Sequence, residues 1–124
     1  MSPMYGRLCL RLDFSQASAG GIPIVKALRE GLAANRIESL YGILNGTCNY
    51  ILTRMEEEHL PFDEVLSAAQ AAGYAEAEPS LDIDGHDTAH KAAVLASLAY
   101  GCIVPLDKVQ VSGIRGMSAA DILY

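Results

Sequence analysis

Between Gly73 and Lys91 the chain reads GYAEAEPSLDIDGHDTAHK, which gathers the carboxylates of Glu76, Glu78, Asp82, Asp84 and Asp87, the imidazoles of His86 and His90 and the amine of Lys91. Asp87 and Lys91 are four residues apart, so on a helix they share one face and can form an ion pair. An amine backed by a carboxylate and partly shielded from water can give a proton to a reacting oxygen or take one from it. The same spacing also describes an ordinary solvated pair, and acids in a first helical turn are favoured by the helix dipole whatever the function. His86 and His90 in HDTAH have the two-histidine spacing of helical zinc hydrolases. Asp87 stands where those enzymes need the longer glutamate, and no third ligand is evident, so no metal is expected.

These residues must be held by the elements around them. Pro79 and Gly85 break the pattern, and an Ala- and Leu-rich run from about His86 to Tyr100 reads as a helix with Gly101 as its stop. Asp84 and Asp87 have the spacing of a capping box at its start. Upstream, Gly6 to Phe14 reads as a strand, and Ile24, Val25, Leu28 and Leu32 form the apolar stripe of a helix that Pro23 begins and that ends near Asn35. Ile37 to Leu44 is rich in β-formers and reads as a second strand. Asn45-Gly46-Thr47 then turns into a helix, with Thr47 as the expected N-cap and free N–H groups that could cradle an anion. Pro61 opens a further helix closed by Gly73, Val109 to Ile114 reads as a third strand, and Ser118 to Asp121 starts another helix. The expected fold class is therefore α/β (α+β), a small mixed β-sheet packed with helices.

Composition bounds the rest. With 124 residues, 51% of them hydrophobic and 19% charged, the chain has the makeup of one globular domain. A net charge of −6 without a basic cluster excludes an electrostatic nucleic-acid surface. Cys9, Cys48 and Cys102 are widely spaced and lack a CxxC pattern, which suits reduced thiols in the cytoplasm. No apolar run approaches the ~20 residues of a membrane span, and Arg7, Arg11 and Asp13 interrupt any signal-peptide core.

From Gly20 to Asp121 the sequence resembles the catalytic, substrate-binding region of homoserine dehydrogenases. The stretches that carry the resemblance are GGIPIVKALREGLAANRI, YGILNGTCNYILTRM, GYAEAEPSLDIDGHDTAHKAAVLASLA and GIRGMSAADI. The resemblance implies a nicotinamide-dependent interconversion of L-homoserine and L-aspartate 4-semialdehyde, on the route to threonine, methionine and isoleucine. It also implies a cytoplasmic homodimer. Lys91 matches the family's proton-shuttling lysine, Glu76 and Asp82 the carboxylates that hold the substrate, Asp87 the aspartate that supports the lysine, and Gly46, Thr47 and Tyr74 residues lining the pocket. Residues 17–124 would form the family's catalytic domain, and residues 1–16 an atypical leader or partial strand.

The departures are specific. No GxGxxG fingerprint occurs anywhere, so the NAD(P) of the full-length family is not expected to bind this chain tightly. A second family lysine, contributed by the nucleotide-binding domain, is missing too. Ser15 stands where family members usually carry the glutamate of their monovalent-cation site, which argues against sodium here. The expectation is a fragment of the enzyme that does not turn over homoserine in isolation, the alternative being a non-catalytic scaffold that self-associates.

Overall fold

The computed structural model describes Arg11–Leu12 and residues 23–123. Strand β1 (Arg11–Leu12) pairs in parallel with β2 (Tyr41–Gly42), Arg11 opposite Tyr41 and Leu12 opposite Gly42. Helices α1 (Ile24–Lys26), α2 (Gly46–Glu58), α3 (Phe62–Ala71), α4 (Ser80–Ile83), α5 (His86–Tyr100) and α6 (Ala119–Leu123) make up most of the rest.

The expected small mixed sheet is corrected accordingly: among the described residues the fold is helical with one short parallel pair. Of the Gly6 to Phe14 strand only Arg11–Leu12 falls inside the described residues, and the rest of that expectation, like most of the 1–16 leader, lies outside them. The Ile37 to Leu44 strand contracts to Tyr41–Gly42, because its apolar residues serve a helical core instead: Leu44 is buried, and Ile37 and Leu40 pack beside it. Val109 to Ile114 is not a strand. It crosses the junction of α4 and α5, and the Ile114 N–H donates to the Ile83 carbonyl at 2.7 Å rather than to a neighbouring strand.

Two apolar clusters hold the helices. Ile51 and Met55 of α2, one turn apart, meet Phe62, Val65 and Ala69 on one face of α3, with Ala75 and Ile83 completing the group. Ile51, Met55, Val65 and Ile83 are fully buried. Ile51→Ala is expected to lower the unfolding free energy by about 2–5 kcal/mol, read as a shift of the urea midpoint, because both transfer energy and a cavity are lost. The second cluster joins Leu28, Leu44 and Leu95, and it is lined by Ala92 and Leu98 of α5. The N-terminal helix is shorter than its stripe predicts: after Lys26 the chain widens into a π-helical turn, Ala27–Gly31, which ends at Gly31, a residue that weakens helix propagation.

The end of α5 and the start of α6 follow their sequence signals; another helix start does not. Gly101 closes α5 in a left-handed conformation, and Ser118 and Asp121 form a reciprocal cap, the Ser118 Oγ donating to Asp121 Oδ2 at 2.6 Å. The exception is the start of α5. Its N-cap is Gly85 at φ 87°, without a side-chain cap, and the Asp84 carboxylate turns away to a bidentate pair with Arg115 at 2.7 and 2.9 Å. The guanidinium outcompetes exposed N–H groups because both partners are charged.

Candidate functional site

The site is assembled at the N-terminus of α2, where the chain passes from one apolar cluster to the other. Asn45, 6% exposed, is the N-cap: its Oδ1 accepts the Cys48 N–H at 2.8 Å. This corrects the expected N-cap, since Thr47 is one residue inside the helix and its hydroxyl donates to the Tyr74 carbonyl at 3.1 Å. With its oxygen committed to the cap, Asn45 points its amide nitrogen at two carboxylates. Nδ2 lies 2.6 Å from Asp82 Oδ1 and 3.0 Å from Asp87 Oδ2.

Asp87 Oδ2 also receives Lys91 Nζ at 2.7 Å, and Nζ reaches the Leu44 carbonyl at 3.3 Å. An ammonium has three donors, so these two bonds leave one for a reacting oxygen. The pair is about one-third exposed, with side-chain exposures of 35% for Lys91 and 31% for Asp87, so it is reachable from solvent without being fully screened.

The sequence-predicted residues divide into four groups. Asp82, Asp87 and Lys91 form one network through Asn45, while Thr47 and Tyr74 are tied together and adjoin it through the α2 N-terminus. The Tyr74 ring stacks on Tyr50 with centroids 4.4 Å apart. Glu76 is not brought into the network: its side chain is exposed, and the bond made at that residue is from Gln70 Nε2 to the Glu76 carbonyl, at 3.0 Å. At Gly46 a Cβ would meet nothing within 4 Å, and its φ is not positive, so neither packing nor backbone conformation requires glycine there.

Sequence reasoning missed Asn45 and Cys48. The signal for Asn45 was present, a good capping residue directly before Gly46, but only the fold brings Asp82 and Asp87 to it. The Cys48 Sγ donates to the Asp82 carbonyl at 3.2 Å. Burial, with the negative field of Asp82 and Asp87, pushes its thiol up to about 11, so it stays protonated at neutral pH. A cavity of about 280 Å³ adjoins Asp82 and Cys48 and is walled by Val109 to Ile114, but Lys91 and Asp87 do not line it.

The Asp87 carboxyl is held below its usual range. Burial by itself would raise it, but the hydrogen bonds from Lys91 and Asn45 and the positive fields of Lys91 and His90 outweigh that. A depressed folded pKa stabilises the native state above the unfolded value of about 3.9, and the contribution is lost as pH falls through the folded pKa. Urea midpoints measured from pH 6 downward are therefore expected to fall less steeply below about pH 4 in Asp87→Asn than in the wild type. His86 and His90 are exposed, and no group of three metal-ligating side chains converges among the described residues. No described helix is long and apolar enough to cross a membrane.

A lysine ion-paired to an aspartate, a neighbouring carboxylate whose second oxygen is unbonded among the described residues and an uncrowded helix N-terminus are groups able to serve acid–base chemistry on a small molecule. The family model of homoserine dehydrogenases matches residues 23–124. The Synechocystis homoserine dehydrogenase is 58% identical over 108 residues, covering 87% of this chain and 25% of that protein. The Pseudomonas aeruginosa enzyme is 52% identical over 111 residues, 90% of this chain and 26% of its own length. Among solved structures, a homoserine dehydrogenase from Thiobacillus denitrificans superposes with a TM-score of 0.80 at 51% identity, over 83% of this chain and 24% of that one. A hyperthermophilic archaeal homoserine dehydrogenase mutant in complex with NADPH gives 0.67 at 33% identity, over 79% and 30%. The chain belongs to the homoserine dehydrogenase family, and it spans about a quarter of the length of the curated relatives it matches.

Proposed function

We propose that this chain is the substrate-binding part of an NAD(P)-dependent oxidoreductase that interconverts L-homoserine and L-aspartate 4-semialdehyde, in the supply of threonine, methionine and isoleucine. Residues 17–124 form the catalytic domain in this reading, residues 1–16 are an atypical leader or partial strand, and the assembled protein is a cytoplasmic homodimer. The observation that carries the reading is the bonding of Lys91: two of its three donors are held by Asp87 and Leu44, and the third is left for the substrate oxygen.

Lys91 moves the proton at the substrate oxygen, donating it when the aldehyde is reduced and accepting it when the alcohol is oxidised. Asp87 fixes the amine. Asp82, whose Oδ2 makes no hydrogen bond among the described residues, receives the substrate ammonium; the family resemblance gives Glu76 the same role, although its exposed side chain stands outside the network. Thr47 and Tyr74 form the wall at the α2 N-terminus, and Gly46 leaves room there for the substrate.

The residues present do not fit a dinucleotide. The chain lacks a GxGxxG turn, so in this reading the hydride partner is held by another part of the enzyme. The isolated chain is accordingly expected to bind substrate without turning it over.

Gly46→Ala provides the test. Because a Cβ there touches no protein atom, the variant should melt with the wild type. Calorimetric titration with L-homoserine should lose the binding heat of the wild type. Equal binding by Gly46→Ala and by Asp82→Ala would refute the reading.

A second reading, a self-associating scaffold, is favoured by the exposure of Val94, at 57% in the middle of α5, and of Ile103, at 92% just beyond its end. A concentration-independent monomer in sedimentation would exclude it.

A further inference from the structure

We infer that Asn45 is a positioning residue that ties the α2 cap to the charge state of the site, dividing its one amide between Asp82 and Asp87 so that Lys91 pairs with Asp87 alone. The inference rests on the substrate reading above only for its consequence in binding, because the arrangement itself is made by protein groups.

Asparagine offers one accepting oxygen and two donating hydrogens on one nitrogen, and a buried amide must satisfy both ends. At Asn45 the oxygen has one suitable neighbour, the Cys48 N–H at the open end of α2, and a carbonyl oxygen turned toward the two carboxylates would meet repulsion instead. The helix cap therefore fixes the amide's orientation. Its two hydrogens then face Asp82 Oδ1 and Asp87 Oδ2, contributed by α4 and α5, and both bonds are charge-assisted.

Three consequences follow. Both carboxylates are held on one amide nitrogen, whose two hydrogens give each acid a donor of its own. Of the two carboxylates Lys91 pairs with Asp87, its other bond going to the Leu44 carbonyl, and Asp82 Oδ2 is kept for an ammonium group of the ligand. The amide that caps α2 also holds the two carboxylates, so the geometry of the site is tied to a helix packed into the core through Ile51 and Met55. The charged or titratable groups facing Asp87 are Lys91 and His90 from α5, Asp82 from α4 and Cys48 from α2. Asn45 is the neutral donor among them.

Two substitutions separate capping from charge division. Asn45→Asp keeps an equally good cap and nearly the same volume but replaces the donor with a third carboxylate. Asn45→Ser keeps a cap and removes the bidentate donor. Each is followed by far-UV circular dichroism, by carbon-detected NMR titration of the Asp87 carboxyl, and by calorimetry with L-homoserine. In Asn45→Asp the helicity should be retained, the Asp87 midpoint should rise by about one pH unit or more, and homoserine affinity should drop by at least about tenfold. Asn45→Ser should move both readouts in the same direction by less, and it carries the test if Asn45→Asp does not fold. An unchanged Asp87 midpoint in the folded variants would overturn the inference, as would a moved midpoint with wild-type homoserine affinity. A moved midpoint in a chain whose wild type binds no homoserine would support the charge division and refute the substrate reading.

Discussion

Gly113→Ala is expected to unfold this chain or to cost it more than about 3 kcal/mol, beyond the usual range for a surface change. Gly113 lies against the end of α4. A Cβ there would collide with the Ile83 carbonyl oxygen and would stand 2.6 Å from the Asp84 Cα and 2.9 Å from its carbonyl carbon. All three are backbone atoms, so no rotamer change can relieve the contact. Movement of the loop would break the bond from the Ile114 N–H to the Ile83 carbonyl. Gly85 faces the same crossing from the other side, where a Cβ would meet the Ser112 carbonyl oxygen at 3.0 Å on a residue already at φ 87°. Thermal melting followed by circular dichroism checks the prediction, and a midpoint within two degrees of the wild type would show that the crossing is looser than described. The same strain should reach the site, because Asp82 belongs to the helix against which the loop presses.

The second large effect is chemical. If Lys91 moves the proton at the substrate oxygen, its removal should cost turnover far more than binding. The measurement needs a protein with a nicotinamide site, and a chimera supplies one: this chain substituted for the matching quarter of the Synechocystis homoserine dehydrogenase, with which it shares 58% identity over 108 residues. In that chimera Lys91→Ala is expected to lower kcat by about 10²–10⁴-fold while changing KM much less, the signature of a group that acts mainly in the transition state. Asp87→Asn should cost less, since it loosens the lysine without deleting it. If Lys91→Ala raised KM and left kcat intact, the lysine would be a binding residue and the proton would travel by another path.

These predictions draw on different sources of information. The helices α2, α3 and α5 were legible in the sequence because their signals are local: apolar residues recur at helical spacing, and Pro61, Gly73, Gly85 and Gly101 mark their ends. The residue types of the site and the pairing of Asp87 with Lys91 were legible for the same reason, being four residues apart on one helix. What the sequence by itself determined was therefore the set of chemical groups and the helices that carry them.

The tertiary structure decided which groups meet. Ile37 to Leu44 and Val109 to Ile114 have the composition of strands, but strand formation depends on a partner edge. Here their residues pack on helices, as Leu44 does against Leu28 and Leu95. Asp84 had the spacing of a cap, yet Arg115, 31 residues away, takes its carboxylate. Asn45 looked like an ordinary turn residue until Asp82 and Asp87, 37 and 42 residues downstream, came within hydrogen-bond reach of its amide. Local spacing governs helices because their hydrogen bonds close within one turn. A buried amide between two carboxylates depends on distant segments converging, and that convergence is set by the packing of the core.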